Sequence, residues 1–186
     1  MDGLYIRKVL GGDTEAFRYF IRNYKDLAFS VAISVVKDEF WAEEVVQESF
    51  IKVYRNLKSF KGHSSFKTWL YRIVVNESFQ RLRQEKKAIV YKDKFPDHEL
   101  EEENLEELSP EGKQVLVEEA LKILSPNESL ALRLFYLEEQ DSKTISAITG
   151  WSDANVRVIL HRARKNMLAV VQKLMSNKPK IDVHEK

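Results

Sequence analysis

The 186 residues contain no cysteine. Disulfides and thiolate zinc sites are therefore excluded, and a reducing, cytoplasmic location fits. Glycine and proline are scarce, at 6 and 4, and no stretch holds the period of two that marks a half-buried strand. No uninterrupted apolar run is long enough to cross a bilayer. The opening MDGLYIRKVLGG has neither the apolar core nor the small-residue cleavage site of a secretory leader, so no membrane insertion is expected. The four histidines, His63, His98, His161 and His184, are scattered. With no HExxH, glycine-rich phosphate loop or nucleophile motif, an enzyme is not expected, nor a catalytic residue, a metal site or a cofactor. The formal charge of +1, from 30 basic and 29 acidic residues, says little about a polyanionic partner. Only the distribution of charge is informative.

What the chain has is apolar residues at helical spacing. The 44% hydrophobic content suffices for a packed core. After Gly11-Gly12, Asp13 is an N-cap candidate, and Phe17, Phe20, Ile21, Tyr24, Ala28 and Val31 recur at steps of three and four. A second helix is expected from near Asp38 through Ala42, Val45, Val46, Phe50, Val53 and Leu57. The loop 59–65 leads to FKTWLYRIVVNESFQRLRQEKK, residues 66–87, which Ser65 can cap. Phe66, Trp69, Leu70 and Ile73 form its apolar stripe. From Asp97 to Glu107 seven acids stand without one Lys or Arg, a run that repels itself and buries little. Beyond it a helix is expected from about Glu111 to Leu124. Ser125-Pro126-Asn127-Glu128 then has the pattern of a capping box, and Leu130, Leu134 and Leu137 line the next helix. The expected fold is all-α: two small helical domains, residues 1–92 and 113–178, joined by an acidic linker, 93–112, with a tail at 179–186.

The second domain contains a short helix, Ser142 to Thr149, a turn at Gly150, and a long helix that Ser152 can cap. That order is a helix-turn-helix. Ile145, Ala147 and Ile148 are expected in its first helix seam, with Ala147 permitting close approach. Val156, Leu160, Ala163, Met167, Val170 and Leu174 form the buried stripe of the long helix. Asp153, Ala154, Arg157, Val158 and His161 then face outward, as the base-reading residues of such a motif do. Arg162, Arg164 and Lys165 come later and suit phosphate contacts. A plain helical hairpin has the same periodicity. In the first domain, the bases Lys52, Arg55, Lys58, Lys61, Lys67, Arg72, Arg81, Arg83, Lys86 and Lys87 meet only Glu77 and Glu85, an imbalance that favours a polyanion over a solvated face. Glu43, Glu44, Gln47 and Glu48 share one helix face. Spacing alone favours a merely solvated acidic surface there.

Residues 123–168, ILSPNESLALRLFYLEEQDSKTISAITGWSDANVRVILHRARKNML, resemble the fourth-region domain of bacterial sigma factors of the extracytoplasmic-function group. FKTWLYRIVVN and the upstream AEEVVQESF resemble the same group's second-region domain. The resemblance implies a sigma-2-like bundle and a sigma-4-like helix-turn-helix, with core RNA polymerase and promoter DNA as partners and a cognate anti-sigma factor as a third. It implies that Glu43, Glu44, Gln47 and Glu48 grip a coiled coil of the largest polymerase subunit. It also implies that the loop before FKTWL forms a pocket for a flipped base, lined by Lys61, His63, Ser64 and Ser65. Asn76 matches a position that contacts this downstream element. Trp69 is mostly core with a stacking edge, and Lys67, Arg72, Arg81 and Arg83 hold backbone. For the upstream element, Arg157, Val158 and His161 match base-reading positions. Three residues depart from the group's pattern: Trp41 where an acid or other polar residue is usual, Asn155 where Thr is usual, and Ile159 where Arg is frequent. A two-domain regulator acting without polymerase, or a helical protein-interaction adaptor, are the competing readings.

Overall fold

The computed structural model describes residues 1–85 and 109–176. The acidic run 97–107, Lys86, Lys87 and the tail lie outside the described residues, as do His98 and His184.

The described residues form helices joined by short turns. In chain order they are α1 (Asp2–Leu10), a 3-10 turn (Thr14–Phe17), α2 (Arg18–Val36), α3 (Glu39–Asn56), a 3-10 turn (Leu57–Ser59), α4 (Phe66–Glu85), α5 (Pro110–Ile123), α6 (Pro126–Leu132), a π-helical turn (Arg133–Leu137), α7 (Ser142–Thr149) and α8 (Asp153–Ser176). The starts follow side-chain chemistry. Asp13, Asp38 and Asp141 each accept a backbone N–H three residues on, at 3.1, 2.9 and 2.7 Å, and Ser65, Ser109 and Ser152 do the same through their hydroxyls. The Ser109 cap starts α5 at Pro110, inside the span 93–112 read from sequence as linker. Gly150 ends α7 at φ +76, in the left-handed region where a Cβ would be strained.

Helices α2, α3 and α4 pack against one another, and α8 carries α5, α6 and α7. Phe20, Phe66, Tyr24, Phe60 and Trp69 form an aromatic cluster at the root of α4, with Phe20 and Phe66 centroids 4.3 Å apart. This anchors the helix start, as the Phe66–Trp69 stripe implied. The buried arc of α4 is wider than that stripe. Tyr71, Val74, Val75, Ser78 and Leu82 are buried as well, whereas Trp69 and Ile73 are half-buried. The reason is a second packing partner: α2 and α3 cover one side of α4, and α7 covers another. The α1–α4 group and the α5–α8 group thus share an interface, to which α2 and α6 also contribute.

Helix α1 is absent from the sequence reading. It is held by tertiary bonds that no local pattern displays. Asp2 accepts the hydroxyls of Tyr19 and Tyr24 at 3.0 and 2.8 Å, and Tyr5 stacks on Tyr19 at 3.9 Å.

Candidate nucleic-acid interface

The acidic face of α3 is open. Glu43, Gln47 and Glu48 are exposed, while Glu44 is half-buried and 3.8 Å from Arg81 Nη2. The Arg81 guanidinium lies 3.2 Å from the Trp41 ring centroid and 3.4 Å from Glu85. Trp41 therefore serves as a platform that fixes Arg81 between α3 and α4. Arg81 sits beside the acidic face and not on the exposed side of α4 where a phosphate-holding residue was expected. Lys52 is likewise paired, to Glu77 at 2.6 Å. The two acids that interrupt the basic segment are thus spent on its own bases. Arg55, Lys58, Lys61 and Arg83 remain exposed.

The loop before α4 is solvent-facing throughout: Lys61, His63, Ser64 and Ser65 are all exposed, and Gly62 turns the chain at φ +73. Ser65 Oγ caps the Thr68 N–H at 3.0 Å and meets the Thr68 hydroxyl at 2.8 Å. Asn76, three turns into α4, is exposed. Trp69 packs on Phe60 and Phe66 with one edge outside, as a mainly structural ring with a stacking edge would. Lys67 and Arg72 are engaged by the other helical group. Lys67 Nζ lies 3.0 Å from Glu138 Oε2, and Arg72 Nε donates to the Ala147 carbonyl at 2.9 Å.

In the helix-turn-helix, Ile145, Ile148, Val156, Leu160 and Ala163 are buried and Gly150 makes the turn. Ala147 is exposed and does not sit in the seam; its backbone carbonyl accepts from Arg72 Nε of α4. Ala154, Arg157, Val158 and His161 are exposed, with Val158 63% accessible. Arg157 pairs with Asp153 one turn back, a surface bond that a phosphate or base edge can replace. Asn155 is exposed, and Ile159 is buried, so at that position the chain has a core residue in place of a basic one.

The later bases of α8 have partners inside the fold. Arg162 Nε donates to Glu128 at 3.1 Å. Arg164 Nε donates to the Tyr136 hydroxyl at 2.7 Å, with its guanidinium over the Phe135 and Tyr136 rings. Lys165 is exposed on the same helix. Glu128 was legible only as the end of a capping box. Its carboxylate is also the point where α6 holds α8, through Arg162 and Asn166. Beside it, the Lys37 ammonium donates to the Leu121 carbonyl at 2.5 Å. Burial, and after it the neighbouring Arg133, lowers the Lys37 pKa to about 7 against an opposing pull from Glu128.

No cluster of His, Cys, Asp or Glu among the described residues could hold a metal ion, and no helix among them is long and apolar enough to cross a membrane.

Residues 20–88 match the family Sigma-70 region 2, and residues 114–167 match Sigma-70, region 4. Over 191 aligned residues the chain is 32% identical to the ECF RNA polymerase sigma-E factor of Salmonella typhimurium, covering 94% of this chain and 96% of that protein. It is 29% identical to the ECF RNA polymerase sigma factor SigM of Bacillus subtilis, over 79% of this chain and 90% of that one. In fold it is similar to the sigma factor RpoE of Bartonella quintana, solved with the anti-sigma factor NepR: TM-score 0.62, 21% identity, 88% of this chain and 98% of that one. The chain belongs to the extracytoplasmic-function group of the sigma-70 family, the alternative sigma factors that bind core RNA polymerase and direct transcription from particular promoters.

Proposed function

We propose that the two helical groups divide the work of initiation. Residues 1–92 bind core polymerase through Glu43, Glu44, Gln47 and Glu48, and read and open the downstream promoter element through the 61–65 loop, Trp69 and Asn76. Residues 113–178 read the upstream element through Asp153, Ala154, Arg157, Val158 and His161. The observation that carries the reading is the exposed outer face of α8, an arginine, a valine and a histidine displayed beyond a correctly turned helix-turn-helix. The chain acts without chemistry of its own, in the cytoplasm where DNA and polymerase are. The RpoE structure contains the anti-sigma factor NepR, and a protein of that kind is proposed as a further partner. The apolar groove of about 580 Å³ between α5, α6 and α8, lined by Leu116, Val117, Leu121, Leu132, Leu168 and Val171, is a surface suited to a protein.

Asn76→Ala in holoenzyme should relax selection at one downstream position by about 1–3 kcal/mol, with polymerase binding unchanged. A promoter-variant competition measures this, and unaltered selection across the element would remove Asn76 from the reading surface. Arg157→Ala should change which upstream sequences are preferred, by about 1–3 kcal/mol at one base pair. An equal loss on all sequences would mean that Arg157 touches backbone only. Arg162 and Arg164 are assigned a smaller direct share in phosphate binding, because each is already bonded within the domain.

A further inference from the structure

The first two turns of α8 hold two apolar side chains on the outer face, Ala154 and Val158, four residues apart and therefore neighbours along the helix. Val156, Ile159, Leu160, Ala163 and Val170 fix the buried side. At roughly 100° per residue, Ala154, Val158, His161 and Lys165 fall opposite that buried stripe. Exposure alone assigns nothing to Val158, since isolated apolar side chains are ordinary on a surface. Its place in the motif does. In a helix-turn-helix the N-terminal turns of the second helix present their outer side chains to base edges in the major groove. We infer that Val158 reads the C5-methyl group of a thymine in the upstream element, so that the methyl itself is selected at that position. The inference rests on the assignment of α8 to the upstream element and adds the chemical group that is read.

The chemistry of the groove leaves one partner for such a side chain. Every base pair shows hydrogen-bond donors and acceptors on its major-groove edge, and the one apolar group there is the thymine methyl. Valine has no side-chain donor or acceptor. Laid on a polar edge, it would strip water from that edge and return nothing, which weakens binding. Laid on a methyl, it lets two apolar surfaces leave water together. Valine is also stiff. In a helix its χ1 is held almost entirely in one rotamer, so its methyls keep a fixed direction and little side-chain entropy is lost on contact.

The neighbours of Val158 leave it clear. Arg157 pairs with Asp153 one turn back, on the flank of the face away from Val158. Ile159, the next residue, is turned into the core. Ala154 extends the apolar surface toward the helix start without adding a side-chain polar atom. Arg157 and His161 border the patch and can serve the hydrogen-bonding edges of adjacent bases. The face thus has an apolar centre between polar side chains.

The test uses holoenzyme reconstituted from core polymerase and the full chain, on an upstream element taken from promoters that this holoenzyme selects. Each thymine of the element, on either strand, is replaced in turn by deoxyuridine, which removes the methyl and keeps the base pair. One replacement should weaken binding roughly fourfold, the contribution of a single methyl leaving water. In Val158→Ala holoenzyme the same replacement should weaken binding less than about twofold, because most of the apolar partner is gone. Val158 is exposed and alanine is a better helix former, so the variant keeps its fold. Selection that depends on Arg157 should persist in Val158→Ala. An element without thymine on either strand, no uracil-sensitive thymine, or a methyl effect that survives Val158→Ala would overturn the inference, with Arg157-dependent selection still supporting α8 as the reading helix. Selection indifferent to both Arg157→Ala and Val158→Ala would overturn that reading and this inference with it.

Discussion

Glu128→Ala should destabilise the α5–α8 group by about 3 kcal/mol, the largest stability effect expected of any single carboxylate among the described residues. Glu128 is 3% accessible and accepts from the Ser125 N–H at 3.3 Å, the Ser125 hydroxyl at 2.7 Å, Arg162 Nε at 3.1 Å and Asn166 Nδ2 at 2.7 Å. Truncation removes the glutamate half of the capping box that starts α6. It also strands the Ser125 N–H and the Asn166 amide in a site with little access to water. Arg162 can recover hydration, since most of its side chain is outside, and that keeps the expected figure below the most severe buried-charge losses. Urea unfolding followed by circular dichroism measures the change. Glu128→Gln should fall between wild type and alanine, because the amide keeps an acceptor oxygen but loses charge. A shift in midpoint equivalent to less than about 0.5 kcal/mol for Glu128→Ala would contradict this role.

Charge reversal on α3 should have the largest functional effect. Glu43→Lys together with Glu48→Lys should weaken core polymerase binding by about 2 kcal/mol or more, at least thirtyfold. Both side chains are exposed, so neither substitution disturbs packing. Glu44 is the wrong choice for this test, because its reversal would also repel Arg81 and loosen the Trp41 platform. The variant should keep the helical content and thermal midpoint of the parent. Retained polymerase affinity would show that the acidic face is only solvated, which is what its spacing alone suggests.

Much of this architecture can be read from the sequence because it is local. Asp13, Asp38, Ser65, Ser125 and Ser152 cap the helices they precede, and Gly150 turns where a left-handed residue is required. The stripe Val156, Leu160, Ala163 and Val170 lies inward as its period demands. What escaped the sequence depends on residues far apart in the chain. Tyr71 is buried because α4 is covered on a second side. Ala147 lies exposed outside the helix-turn-helix seam, and only its backbone carbonyl meets Arg72. Ile159, where a basic residue is frequent in the group, belongs to the core. Arg81 appears in sequence as one more base, and the neighbouring Trp41 ring and Glu44 carboxylate explain why it points to α3. Leu137, expected to line a helix, is exposed because a π-helical turn at Arg133–Leu137 shifts the register by one residue. Exposure on loops and outer faces is therefore more legible in sequence than packing at the contact between the two helical groups.

The most direct measurement is run-off transcription by purified core polymerase across a promoter library, with the chain, without it, and with the Glu43→Lys, Glu48→Lys variant. A distinct set of transcripts that depends on the chain and is strongly reduced by the variant is the expected result. No chain-dependent transcript from any promoter, or transcripts unaffected by reversal of the α3 face, would contradict the account.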